Sequence, residues 1–209
     1  MICAQRSSRS RTVDCLCLLL VGIVASLLGC SRPPGFGVGG HYNNATSEFV
    51  GRGGNVDHAI ASLEYVVSRD PFYKDSLTLL GRAYYKRGRY KDAYQVLQRA
   101  LAVSALDEIA WVALGLTQLR LGDDQNGMES LKGGVTLLSK LSENGYKGID
   151  FWDRNRLVRN SLRRTAFLVT KGSEEKEKII ESGELLLASI DREQWQGTLD
   201  QDQDRRINY

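Results

Sequence analysis

Residues 81–94 read GRAYYKRGRYKDAY. A helical pattern carrying Ala83, Tyr84 and Tyr85 stops at Gly88 and resumes within two residues toward Asp92 and Ala93. Glycine enters the left-handed backbone region at no steric cost, so Gly88 is suited to ending a helix. Asp92 then lies near the start of the next helix, where its carboxylate meets unpaired amides and the positive end of the helix dipole. The stretch therefore predicts two antiparallel helices joined by a tight turn.

The same signals recur 34 residues away. Leu80-Gly81 returns as Leu114-Gly115, Gly88 as Gly122 with Gly54 before it, and Leu97 as Leu131 with Leu63 before it. Ala93 is matched by Ala59 and Gly127, and Ala100 by Val66 and Gly134. Fixed-period similarity of this length marks a stack of helix pairs. Gly81 and Gly115 lack side chains and let a partner helix come close, Ala93 and Ala100 are the matching low points, and Leu80, Tyr84, Leu97 and Leu101 fill the space beside them. A single pair cannot bury its apolar stripe, so neighbours must stack.

These residues resemble the tetratricopeptide repeat, in which leucine-glycine, an aromatic residue, a turn glycine, alanines and a late proline, here Pro71, occur in this order. The resemblance covers two full units, Lys74 to Asp107 and Glu108 to Leu141, and the second half of an earlier one at about Asp57 to Pro71. It implies an all-α fold, a short right-handed helical solenoid, and a groove lined by the first helix of each unit that takes peptide segments. The matching groove positions are Thr78, Arg82, Tyr85, Val112, Leu116, Leu119 and Arg120, which mix apolar contact with two guanidiniums. Alternatively, Val112, Leu116 and Leu119 pack against the terminal helices, since a short array needs capping. The repeat-packing positions are Leu80, Gly81, Tyr84, Gly88, Ala93, Leu97, Ala100, Leu114, Gly115, Gly122 and Leu131. Gln118 replaces the aromatic residue in the second unit. Gly127, Gly133 and Gly134 predict a softer second helix there, each costing up to roughly 1 kcal/mol against alanine.

Beyond Leu141 the period is lost in the polar, glycine-containing SENGYKGIDFW. Helices are predicted at about Asp153 to Lys171 and at about Glu174 to Gln196 with Ser173 as cap, forming a degenerate terminal pair. Ile179, Ile180, Leu186, Leu187 and Ile190 supply its helical apolar spacing. The domain is expected over 55–196, followed by a frayed tail at 197–209.

At the other end, Arg6, Arg9 and Arg11 precede the apolar run from Cys15 to Leu28, which is shorter than the ~20 residues of a membrane span. This is a secretory leader, expected to end at residue 29. The run closes in LLGC, Leu27 to Cys30, which resembles the lipobox of bacterial lipoproteins. That resemblance implies cleavage after Gly29, thioether lipidation (a palmitate-type anchor) of Cys30, and membrane attachment. The alternative is an uncleaved anchor with a stray cysteine. Cys3, Cys15 and Cys17 would leave with the leader, so the mature chain forms no internal disulfide. Residues 30–54 are rich in Gly, Pro, Asn and Ser and are expected to act as a flexible tether, with a reach of about 25 Å over its ~22 residues. The GFGVGG within it lacks the flanking strand of a phosphate loop.

The composition, 42% hydrophobic and 25% charged, is that of a globular protein. Loss of the leader leaves 25 basic against 24 acidic residues, which excludes nucleic acid as an expected partner. His41 and His58 are the only imidazoles, too few for a zinc cluster or a Ser/His/Asp set, so no metal, cofactor or catalytic residue is assigned. His58 reads as a surface residue. Arg154, Arg156, Arg159, Arg163 and Arg164 form a basic cluster on the helix 153–171 that either meets anionic lipid, an acidic polymer such as cell wall or an acidic partner, or is solvated beside the acidic segment Glu174 to Glu184.

These features point to a non-enzymatic, protein-binding scaffold on a lipid anchor, facing the periplasm. Ser31 is not the aspartate associated with inner-membrane retention, which favours the outer membrane. The rivals are a surface-binding module using the arginine helix and an enzyme with its site in the loop from Ser142 to Trp152.

Overall fold

The computed structural model describes residues 37–51, 53–143, 153, 156–171 and 175–207. The segment 1–29 expected to be a leader, Cys30, Arg154, Ser173 and residues 144–152 lie outside them. The described residues form eight helices and no strand: α1 (Val38–Val50), α2 (Val56–Arg69), α3 (Ser76–Lys86), α4 (Tyr90–Val103), α5 (Glu108–Leu121), α6 (Asp124–Glu143), α7 (Leu157–Lys171) and α8 (Lys176–Ile207). Helices pair in chain order as α1/α2, α3/α4, α5/α6 and α7/α8, each pair stacking on the next. The fold is an all-α solenoid of the tetratricopeptide type.

Close approach within the pairs depends on glycine. A Cβ on Gly81 would stand 2.5 Å from Leu97 Cγ. One on Gly115 would meet the backbone nitrogen of Leu131 at 2.6 Å and the carbonyl oxygen of Gly127 at 2.8 Å. All three distances are far inside van der Waals contact, so α3 and α5 approach their partners only because these positions are bare. Leu63, Leu97 and Leu131 then become fully buried beside Ala59, Ala93 and Ala100. Burial of each leucine contributes roughly 1.5–3 kcal/mol relative to exposure.

Gly88 and Gly122 take φ of 73° and 87°, just beyond the ends of α3 and α5. Side-chain caps begin other helices. Asn55 accepts from the Asp57 and His58 amides at 2.9 and 3.3 Å, and Asp107 accepts from the Ala110 amide at 2.8 Å.

Three boundaries differ from the sequence expectation. The segment 30–54, expected to be a flexible tether, contains α1, which places Ala45 and Phe49 in the core and completes a first repeat with α2. Tyr42, Ala45 and Phe49 share one face of that helix, and the Tyr42 hydroxyl donates to Asp75 across the repeat boundary. The helix expected from Asp153 begins at Leu157, because Asp153 is itself the cap: its carboxylate accepts from the Val158 and Arg159 amides at 2.8 and 3.0 Å. The backbone of α8 stays helical to Ile207, through the stretch expected to be a frayed tail.

Candidate functional site

The first helices α1, α3 and α5 neighbour one another, and α8 lies across them. Beginning beside α6, where Lys176 pairs with Asp124 at 2.7 Å, α8 passes α5, then α3, and reaches the end of α1. There a Cβ on Gly51 would sit 3.5 Å from the Trp195 ring. Residues expected to line an open groove are therefore largely under a helix of the same chain.

Four of the seven groove positions contact α8. Leu116 is fully buried and fits against Gly183, where a Cβ would approach Leu116 Cδ2 to 2.7 Å. Arg120 donates to Glu177 at 2.8 Å and to Glu184 at 3.0 Å. The Tyr85 hydroxyl donates to the same Glu184 at 2.5 Å. Arg82, with its side chain only 4% exposed, is paired with the equally buried Asp191.

The remaining three face elsewhere, correcting the sequence assignment. Val112, Gly115 and Leu119 are spaced as one stripe of a helix, and in α5 that stripe faces α6. Cβ atoms on Gly134 and Gly127 would meet Val112 and Leu119 at 2.7 and 2.8 Å. The Thr78 hydroxyl donates to Asp107 at 2.5 Å, tying α3 to the cap of α5. Glycine at 115 thus reports the direction of its whole stripe, a signal that the assignment of Val112 and Leu119 overlooked.

Lys86, Phe49, Gly183 and the three carboxylates of α8 belong to this site but were not singled out from sequence. Lys86 reaches Asp191 at 3.4 Å and stands 3.8 Å over the Phe49 ring, with Arg82 5.0 Å over the same ring. Burial pulls the Lys86 ammonium below its usual range, against the opposing pull of Asp191. The Tyr85 phenol is pushed well up by burial and by its hydrogen bond to Glu184.

The acidic face of α8 therefore turns to α3 and α5, not to the arginine helix. α7 packs on α8 without those carboxylates, and the Thr165 hydroxyl lies 2.8 Å from that of Ser182. Arg156, Arg159, Arg163 and Arg164 are exposed on or beside α7. His58 is exposed, and His41 stacks on Tyr65 with ring centroids 4.2 Å apart. Among the described residues no helix is long and apolar enough to cross a membrane, and no His, Cys, Asp and Glu cluster is placed to hold a metal.

Residues 53–119, about a third of the chain, match the family described as Tetratricopeptide repeat. The matched stretch spans α2, α3, α4 and most of α5, and includes Gly81 and Gly115. No curated protein and no solved structure matches the chain. Repeats of this class generally mediate contacts between proteins, and the face of first helices in this chain does hold a helix.

Proposed function

We propose that this chain is a non-enzymatic adaptor that recruits other proteins to an assembly of the bacterial cell envelope. The observation that carries the reading is chemical: the face formed by α1, α3 and α5 receives a helix through Arg82, Tyr85, Leu116 and Arg120. Apolar contact combined with fixed charge is the usual means of recognising a helical segment. The envelope address rests on the order of basic residues, apolar run, Gly29 and Cys30, which supports a lipid anchor and, with Ser31, the outer membrane.

The test has two arms. Metabolic labelling with a palmitate analogue is expected to mark the wild-type chain and to be lost in Cys30→Ser. Affinity capture from membranes of the source cells is expected to retrieve envelope proteins with the wild type. Unlabelled wild type sinks the anchor, and capture indistinguishable from that of an unrelated anchored control sinks the adaptor role.

A second reading is supported by the exposed Arg159, Arg163 and Arg164 on α7, which α8 leaves unclaimed by its acidic face. In it α7 binds an anionic lipid or cell-wall surface. Vesicle binding that vanishes at high salt and in Arg156→Gln/Arg159→Gln/Arg163→Gln distinguishes it from helix recognition.

A further inference from the structure

Along α8, Glu177, Glu184 and Asp191 stand seven residues apart. Seven residues are two helical turns, so the three carboxylates form one stripe with only slight drift. Each is met from the repeat face: Glu177 and Glu184 share Arg120, Glu184 also accepts from Tyr85, and Asp191 meets Arg82 and Lys86. Ile180 and Leu187, three residues after the first two carboxylates, are buried in the same helix. The repeat face is thus a row of cations and a phenol matched in spacing to an acidic helix.

Its present occupant fits incompletely. Nε of Arg82 and Nε of Arg120 are buried at this interface without a hydrogen-bond partner. Two cations, Arg82 and Lys86, share the single carboxylate of Asp191. A cavity of about 300 Å³ remains beside Leu187, walled by Phe49, Tyr85, Lys86 and Tyr90. Unmet donors and unfilled volume weaken an interface that a better-matched helix would complete.

We propose that this face is a docking site for an acidic amphipathic helix of a partner protein, and that α8 is the resident occupant which such a helix displaces. The partner helix carries carboxylates at seven-residue spacing, with apolar residues three positions after the first two. The inference rests on the adaptor reading and specifies the partner. Because α8 belongs to the same chain, it acts at an effective concentration on the order of millimolar. A free helix with equal contacts therefore competes poorly until the resident hold is loosened.

The probe is a fluorescent peptide of residues 176–196, added to the full chain and to the full chain carrying Glu184→Lys and Asp191→Lys. Anisotropy is expected to show at least about tenfold tighter binding to the variant, as the resident competitor is weakened. Binding should fall with salt and be lost when the peptide's Glu177, Glu184 and Asp191 become glutamine. Equal affinity for both chains, or equal binding of the glutamine peptide, overturns the proposal.

Should circular dichroism show that the variant has lost its helices, hydrogen exchange on the wild type decides. Excess peptide is then expected to accelerate exchange in residues 176–196 while residues 76–121 stay protected. Unchanged exchange in 176–196 overturns the proposal. Peptide binding without envelope capture sinks the adaptor reading and leaves the helix-docking face standing, whereas envelope capture without peptide binding sinks only this inference.

Discussion

The Arg82 guanidinium of α3 and the Asp191 carboxylate of α8 form a buried ion pair between residues 109 positions apart in the chain. It fixes α8 against the middle repeat, with Lys86 as a second, longer contact to the same carboxylate. A buried pair is weak evidence of net stability, because both charges leave water to form it. Removing one partner is different, since the other charge stays buried alone. Asp191→Ala is expected to cost about 3–5 kcal/mol in urea unfolding. Arg82→Met combined with Asp191→Leu should recover most of that loss. A double variant as unstable as the single one would show that geometry, not the orphaned charge, sets the cost.

Two glycines in the third repeat are expected to respond to alanine with opposite signs. On Gly115 the added methyl meets backbone atoms of α6 at 2.6 and 2.8 Å, which cannot rotate away. On Gly133, inside α6, it meets nothing within 4 Å. Gly133→Ala should therefore stabilise by up to about 1 kcal/mol through helix propensity, and Gly115→Ala should destabilise by roughly 1–3 kcal/mol. Thermal melts of the two variants beside the wild type check this, and a shift of the same sign in both refutes it.

Tyr84 gives a test by pH. Burial, and then its hydrogen bond to Glu64 at 2.6 Å, push the phenol up to about 12 from an ordinary value of 10.0. An acid whose pKa is raised by folding contributes stability that is complete below the unfolded value. That contribution is lost as pH climbs through the folded one, here between about 10 and 12. Absorbance titration at 295 nm is expected to leave this phenol protonated at about pH 11 in the folded chain and ionised at that pH in guanidinium. Tyr84→Phe should reduce only the late phase. Loss of amplitude in the early phase would contradict the assignment.

Gly183 tests whether α8 is held by fit as well as by charge. Leu116 occupies the space where its side chain would stand, so Gly183→Leu is expected to lift α8 from α5. Hydrogen exchange should quicken in residues 176–196 by about tenfold or more, consistent with a local opening cost of some 1–3 kcal/mol, while α3 and α4 keep their protection. Uniform acceleration throughout the repeats would instead show that α8 unfolds together with them.

The repeat was legible because bare positions leave a periodic mark. Gly81, Gly88, Gly115 and Gly122 are needed for backbone proximity or a left-handed turn, and few other residues meet those demands. α1 was hidden because Gly39, Gly40, Asn43 and Asn44 dilute the stripe of Tyr42, Ala45 and Phe49 with residues that favour loops. Tertiary packing on α2 supplies what local propensity lacks. The groove was harder to read. Val112 and Leu119 carry the same apolar character as Leu116, and only their distance from Gly115 tells which way they face. The carboxylates of α8 read locally as partners for Lys176 and Lys178, yet Lys176 reaches Asp124 of α6, while Lys178 pairs with Glu175 just before the helix. Glu177 and Glu184 reach Arg120 from 57 and 64 residues away, a relationship that no local spacing encodes.

α8 follows the three repeats in chain order, so in any vectorial emergence of the chain Arg82, Tyr85 and Arg120 come before Glu184 and Asp191. Between those moments the nascent protein has its cationic row bare, with Phe49 and Leu116 uncovered beside it. The helix that covers this row is thus the last one the chain supplies.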